Sequence, residues 1–336
     1  MMRGTIDPHV ASRCAVVVPC LNEEAFIAPL VAHLLREAER LDFQIIIVDG
    51  GSTDRTLEIA TGLVHAHTRV ILMDNPEKLQ AAAVNKAVAA LPETIEYVIR
   101  IDAHGQYPAD YCGMLLAEAG STGADSVVVP MATEGVTPFQ KATAIAQNSK
   151  LGNGGSKHRH GAEGHWTDHG HHALMRAAAF KQVGGYDESF SHNEDAELDC
   201  RLRQAGFRIW MTDKTRMTYF PRATIPTLFK QYLGYGRGRA KNILKHRTIP
   251  KLRQTLPLLV FPIVAAVAFV ALHWSAAAPA AFWVLICLSY GLLMAVREGK
   301  PHGSLVGISA MVMHLAWSMG FWLQLAQAGT RSGSRR

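Results

Sequence analysis

Asp102 and His104 stand at the end of a run, Tyr97-Val98-Ile99-Arg100-Ile101, whose members other than Arg100 favour strands, and Gly105 and Pro108 close the turn that follows. An apolar run of this length delivers its terminal carboxylate and imidazole at the C-terminal end of a buried strand. Ligands of open α/β sheets sit outside that end. An Asp and a His two residues apart lie on one side of the chain and can share a divalent cation. Taken alone, the tripeptide reads better as an ordinary strand end with a solvated Asp.

Three further groups change that balance. Asp49 ends a second strand-like run, Phe43 to Val48, and precedes Gly50-Gly51-Ser52-Thr53-Asp54. By itself this is a turn with an N-cap. With Pro19-Cys20-Leu21-Asn22-Glu23 at the preceding strand end and Asp102 two strands on, a nucleotide pocket is the better reading, in which Asp49 accepts from a ring N–H or a ribose hydroxyl. Glu194-Asp195 opens a helix, where acidic residues suit the dipole; a general base for a sugar hydroxyl has the same signature. Gln231 to Arg239 mixes aromatics, glycines and the guanidinium groups of Arg237 and Arg239, which reads as an interfacial helix or as a fork of donors for a diphosphate.

Six histidines, His158, His160, His165, His169, His171 and His172, crowd one loop. Zinc is a weak reading, because no cysteine is near and no H-x-x-x-H lies on a clear helix. Contacts to acceptor or phosphate are favoured, with solvated loop histidines as the remaining alternative.

The elements that must hold these groups alternate. Cys14 to Pro19, Phe43 to Val48, Arg69 to Met73, Tyr97 to Ile101 and Ser126 to Val129 have strand length. Between them lie amphipathic helices, one reaching about Arg40, one ending near Val64, one over Gln80 to Ala90 and one from Pro108. Such alternation with short loops predicts an α/β fold with a mainly parallel sheet covered on both faces. From Pro130 to His172 the periodicity fades; a short helix over Ala177 to Val183, a helix from Asn193 to Ala205 and an edge strand over Phe207 to Met211 follow.

Charge and apolarity are unevenly spread over the 336 residues. The +6 net charge is a local belt, since beyond Pro221 the only acid is Glu298 while nine Lys and Arg lie between Arg222 and Arg253. That belt suits phosphates or an anionic membrane surface, and the apolar run after it favours lipid over nucleic acid. Five scattered cysteines without a C-x-x-C pair argue for a reducing compartment, and the N-terminus does not read as a signal peptide. Leu256 to His273, Ala276 to Val296 and Leu305 to Leu325 are each about long enough to cross a bilayer. The division expected is therefore residues 12–221 for the α/β domain, 222–254 for a basic interfacial segment and 255–328 for about three transmembrane helices. The positive-inside rule puts the α/β domain in the cytoplasm, at the inner membrane, although Arg331, Arg335 and Arg336 would then end on the opposite side.

Together Val16-Val-Val-Pro-Cys-Leu-Asn-Glu-Glu24, Val48-Asp-Gly-Gly-Ser-Thr-Asp-Arg-Thr56, Asp102-Ala-His104 and Glu194-Asp195 resemble a family 2 glycosyltransferase of GT-A fold, over roughly residues 12 to 240. The likeness is closer to the succinoglycan-type exopolysaccharide glucosyltransferases, through Asp102-Ala-His-Gly-Gln-Tyr-Pro108, Gly184-Gly-Tyr-Asp-Glu188, Asn193-Glu-Asp-Ala-Glu-Leu198 and the apolar tail. The resemblance implies that Pro19, Asn22, Glu23, Asp49, Ser52, Lys78 and Asp102 hold a UDP-sugar, with Arg237 or Arg239 on its diphosphate. It implies Asp102 and residue 104 as ligands of Mg²⁺ or Mn²⁺, Asp195 as base with Glu194 beside it, and His169 and His171 on the acceptor side. The usual D-x-D has Asp where this chain has His104; a neutral imidazole there weakens Mg²⁺ relative to Mn²⁺.

The activity implied is an inverting transfer to a polyprenyl-diphosphate-linked saccharide at the membrane, without nucleic acid. A transferase acting on polyprenyl phosphate is one rival and a non-catalytic sugar-nucleotide binding protein is another. A transporter is disfavoured, because the apolar stretches hold no acidic or basic residue of the kind that lines a translocation path.

Overall fold

The computed structural model describes residues 13–153, 163–250, 252–297, 299 and 303–333. They form two compact units, Met1–Ala132 with Gly161–Thr218, and Thr133–His160 with Tyr219–Arg336.

The first unit is built on an eight-stranded sheet. Its strands are β1 (Cys14–Cys20), β2 (Gln44–Asp49), β3 (Val70–Asp74), β4 (Tyr97–Arg100), β5 (Ser126–Val129), β6 (His165–Trp166), β7 (His171–Arg176) and β8 (Ile209–Met211). The order across the sheet is β3-β2-β1-β4-β7-β5-β8-β6. Pairs among β1 to β4, and β5 with β8, are parallel; β7 runs antiparallel to both β4 and β5. β1, β2 and β4 are buried almost throughout, as strands covered on both faces must be.

Helices α1 (Ile27–Leu41), α2 (Thr56–Ala66), α3 (Gln80–Ala90), α4 (Tyr111–Thr122), α5 (Ala177–Gln182) and α6 (Glu194–Gln204) complete this unit. One core cluster joins Val17, Val48 and Val98 of the sheet to Val84 and Val88 of α3 and Leu198 and Leu202 of α6. Burying a leucine is worth about 1.5–3 kcal/mol, so Leu198 and Leu202 fasten α6 along the sheet and fix where its acidic first turn emerges.

Two expectations are corrected. β7 starts at the end of the stretch where periodicity fades and is not predicted as a strand, because its apolar part is only Ala173-Leu174-Met175 and polar histidines precede it. The strand over 209–211 is not the edge, since β6 pairs beyond it.

In the second unit, helix Pro138–Asn148 starts with a capping box in which Thr137 and Gln140 bond reciprocally. Helices Ile225–His246, Ala278–Arg297 and Gly303–Gly333 follow. Two helices, Trp274–Arg297 and Gly303–Thr330, are long and apolar enough to cross a membrane. The first expected span, Leu256 to His273, is broken: Leu252–Leu258, Val260–Ala265 and a 3-10 turn, Ala266–Phe269, replace one helix. Pro257 and Pro262 are the cause, since proline lacks the N–H that a continuous helix needs and clashes with the preceding turn.

Helix Ile225–His246 approaches helix Gly303–Gly333 through glycine. A Cβ on Gly236 would lie 2.0 Å from the Trp317 carbonyl oxygen, and one on Gly320 2.1 Å from that of Leu233. Neither backbone can yield cheaply, and overpacking typically costs ~1–3 kcal/mol. Gly236→Ala is therefore expected to lower the unfolding temperature of the detergent-extracted protein clearly more than Gly329→Ala, whose Cβ meets nothing within 4 Å. Equal melting of the two variants would refute this packing.

Candidate active site

The site forms at the C-terminal ends of β1, β2 and β4, in the first unit. The loops after β1 and β2 are stitched together: Asn22 N–H donates to Ser52 Oγ at 2.9 Å, Thr53 N–H to Asn22 Oδ1 at 2.8 Å and Glu23 N–H to Thr56 Oγ1 at 2.7 Å. Asp49 is buried, and its carboxylate accepts from the Gly51 and Ser52 N–H groups and from Ser52 Oγ. Asp49 thus holds its own turn, with Cys20 Sγ 3.8 Å away; burial and the Asp49 carboxylate push that thiol up to about 12. Asn22, Lys78 and Asn193 carry positive φ of 58°, 57° and 63°. A left-handed non-glycine residue is uncommon, and such strain gathers at ligand-binding loops. Lys78 lies over Gly51, so Pro19 and Asp49 at their strand ends and Asn22, Glu23, Ser52 and Lys78 in the loops that follow adjoin one another.

Beside them, Asp102 Oδ1 accepts from Gln80 Nε2 at 2.7 Å, and Tyr107 folds its hydroxyl back onto the Asp102 backbone. His104 turns its Nδ1 to Glu23 Oε1 at 2.9 Å. The carboxylates of Asp102 and Asp195 meet on two shared side chains, Arg100 and His171. Arg100, almost fully buried, grips Asp195 with both terminal nitrogens at 2.6 and 3.3 Å, and its Nε lies 3.6 Å from Asp102 Oδ1. His171 is placed between them, Nε2 3.6 Å from Asp102 and Nδ1 3.8 Å from Asp195.

Burial by itself raises both aspartates; Arg100, with the neighbouring histidines, outweighs it and holds both below their usual range. Burial and Arg100 together push the His171 imidazole down, toward its neutral form. At Glu194, burial and then the Asp195 charge outweigh Arg100 and raise it to about 7.

Behind Asp195 lies a second polar layer. Tyr186 Oη donates to Asp195 Oδ1 at 3.2 Å and meets His172 Nδ1 at 2.7 Å; His172 Nε2 meets Asp199 Oδ1 at 2.7 Å, and Asp199 Oδ2 meets His169 Nδ1 at 2.7 Å. Of the histidines read as one loop, His171 therefore faces the two carboxylates and His169 braces Asp199. His165 belongs to β6 and bonds the Glu163 carbonyl, and His158 and His160 lie outside the described residues. Arg237 and Arg239 belong to helix Ile225–His246 of the second unit.

Sequence reading missed Arg100, Gln80, Tyr186 and Asp199. Arg100 had a usable signal: a charged residue within a buried apolar strand requires a buried partner. The other three carry no local signature.

A mainly parallel sheet with carboxylates at its strand ends is a place for a ligand, and the acidic start of α6 lies beside it. Residues 15–184 match glycosyl transferase family 2 and residues 159–296 match glycosyl transferase family group 2. This chain belongs to glycosyl transferase family 2, and it is a glycosyltransferase. It is 58% identical over 319 residues, 95% of this chain and 97% of the relative, to the succinoglycan biosynthesis protein ExoA of Rhizobium meliloti (strain 1021). A dolichyl N-acetyl-alpha-D-glucosaminyl phosphate 3-beta-D-2,3-diacetamido-2,3-dideoxy-beta-D-glucuronosyltransferase of Methanococcus voltae is 21% identical over 69% of this chain and 74% of its own. Among solved structures, the mannosyltransferase PcManGT of Pyrobaculum calidifontis, in complex with GDP-Man and Mn²⁺, aligns with a TM-score of 0.60 at 18% identity, covering 91% of this chain and 86% of that one. That likeness establishes the GT-A type of fold.

Proposed function

We propose that this chain is a membrane-anchored, inverting glycosyltransferase that moves a hexose, taken to be glucose, from a UDP-sugar to a polyprenyl-diphosphate-linked saccharide during exopolysaccharide assembly. The observation that carries the chemistry is the meeting of Asp102 and Asp195 on Arg100 and His171, which supports reading one as the donor-side and the other as the acceptor-side carboxylate. The kinship with a succinoglycan biosynthesis protein supports the polymer. The two long apolar helices and the basic belt support anchoring in the inner membrane with residues 12–221 facing the cytoplasm, 222–254 at the interface and 255–328 in the bilayer.

In this reading Pro19, Asn22, Glu23, Asp49, Ser52 and Lys78 bind the uridine end of the donor, and Arg237 and Arg239 neutralise its diphosphate. Asp195, kept ionised by Arg100, takes the acceptor proton as the new glycosidic bond forms. A low basicity suffices there, because the acceptor oxygen becomes strongly acidic only once it bonds the anomeric carbon. Glu194 and His171 orient the acceptor, with His169 behind them.

Among the described residues no three His, Cys, Asp or Glu side chains converge as a protein-only metal site requires. One carboxylate, Asp102, with the imidazole of His104 two residues on, instead fits a cation that completes its shell with substrate phosphates. Asp102 and His104 would hold Mg²⁺ or Mn²⁺, which when bound supplies positive charge to the departing diphosphate. Asp102→Ala is expected to abolish metal-dependent UDP-sugar binding in calorimetry, and His104→Asp to shift preference from Mn²⁺ toward Mg²⁺. Unchanged affinity and metal dependence in both variants would remove these residues from the donor site.

The assignment is tested by supplying radiolabelled UDP-sugars, one at a time, to the purified protein with bacterial membrane lipid extract. The expected result is label in an organic-extractable diphosphate-linked saccharide, with UDP-glucose the best donor. Label on a polyprenyl monophosphate would move the acceptor to the simpler lipid, and no lipid product from any donor would overturn the proposal.

A further inference from the structure

The layer behind Asp195 is a buried chain of hydrogen-bonding side chains. Asp199 and His172 are essentially unexposed, one turn and one strand away from the candidate base, and every polar atom that joins them to it is within hydrogen-bond distance of the next. Its members come from different elements. Asp195 and Asp199 lie on α6, His172 on β7, and Tyr186 on the loop after α5, where Asn85 clamps its backbone N–H and carbonyl at 2.8 Å each.

Proton counting makes this chain directional. The Tyr186 phenol has one proton and three polar neighbours. Arg100 Nη1, at 3.1 Å, can only donate to it; ionised Asp195 can only accept; His172 Nδ1 can do either. Nε2 of His172 faces the Asp199 carboxylate and keeps its proton. The state of Nδ1 therefore decides where the phenolic proton points. With Nδ1 protonated, His172 donates to the phenol and the phenol donates to Asp195. With Nδ1 bare, the phenol turns its proton to His172, Asp195 loses a donor, and a lone pair faces Asp195 Oδ1 across 3.4 Å.

We infer that His172 and Asp199 are positioning residues for sugar transfer: through Tyr186 they hold Asp195 in one rotamer, ready for the acceptor, only while His172 carries both protons. This rests on the reading of Asp195 as the base. The charged groups facing His172 are Asp199 and Asp195 from α6, Arg100 from β4 and His171 from its own strand, with Glu194 beside Asp195. Burial and Arg100 oppose its protonation, and the two aspartates outweigh them, so His172 titrates above the ordinary histidine value of 6.5. The brace is thus intact at low pH and lost as pH rises through the raised value.

The test is the pH dependence of transfer to lipid by the full-length protein in detergent, followed from pH 6.5 upward. The wild type is expected to show an alkaline loss in kcat of ~10-fold, short of the ~10²-fold that a 1 Å misplacement can cause, while KM for the UDP-sugar stays level. Asp199→Asn withdraws the charge that keeps His172 protonated and should move that loss to lower pH. His172→Gln should hold the low activity at every pH. A merely structural role would lower stability or yield in both variants without moving the pH of the loss. A wild-type profile without the alkaline loss, or an Asp199→Asn profile that coincides with it, overturns the inference even if His172→Gln does not fold. The underlying reading fails separately: near-normal transfer by Asp195→Asn would dismiss the base itself, whereas a dead Asp195→Asn with an unmoved Asp199→Asn profile dismisses only the brace.

Discussion

Asp195→Asn is expected to lower sugar transfer by ~10²–10⁴-fold, the usual contribution of a positioned base, while UDP-sugar affinity stays close to that of the wild type. The substitution keeps the shape of the side chain and an oxygen for Tyr186 and Arg100, but it cannot take a proton. A hydroxyl attacks poorly unless its proton leaves as the bond forms, so the loss belongs in the chemical step and single-turnover transfer is the measurement. Glu194→Gln should cost less, since Glu194 orients the acceptor. Because burial and the Asp195 charge lift Glu194 to about 7, its ionised form prevails only above that pH. The wild type should therefore lose activity as pH falls through about 7, and Glu194→Gln should flatten that acidic side. If Asp195 were merely a helix-start residue, Asp195→Asn would change stability slightly and transfer within a few-fold, which would withdraw the assignment.

Arg100→Met should be the most damaging substitution for the fold of the first unit and should also abolish transfer. Arg100 is almost fully buried and faces Asp195, Asp102 and the Tyr186 hydroxyl. Removing one partner from a buried ion pair leaves its opposite charge uncompensated, at a cost of ~3–5 kcal/mol. Methionine matches the length but supplies neither charge nor donors, so Asp195 regains a proton and ceases to be a base. Arg100→Lys keeps one point charge but not the two-pronged grip, and should fall between. Thermal unfolding in detergent and transfer to lipid read the two effects independently. An Arg100→Met protein that melts with the wild type would show that the pair contributes nothing to the fold.

Much of the donor side is legible in the linear chain. A buried parallel strand is a short apolar run, and where Val-Asp-Gly-Gly or Ile-Asp-Ala-His interrupts it, the strand end and its carboxylate are marked in consecutive residues. Asp49, Asp102 and the acidic start of α6 are therefore found without tertiary information, as are the helices between them. The same local logic fails where a pattern is short or conflicting. β7 has three apolar residues behind two histidines, and the apolar segment after Leu256 has the composition of one span but the prolines of several helices.

What the sequence determines by itself is which element ends carry acids and glycines, because those choices answer to backbone conformation and burial within a few residues. Only the tertiary structure decides which of them meet. Inserting β7 antiparallel between β4 and β5 brings His171 and His172 beside Arg100, and packing Leu198 and Leu202 onto the sheet carries Asp195 and Asp199 to the same place. A hydrogen bond between side chains 95 positions apart, such as Arg100 to Asp195, has no local pattern to announce it. It exists because strand order and helix packing put a buried cation between two carboxylates, where it lowers the pKa of both.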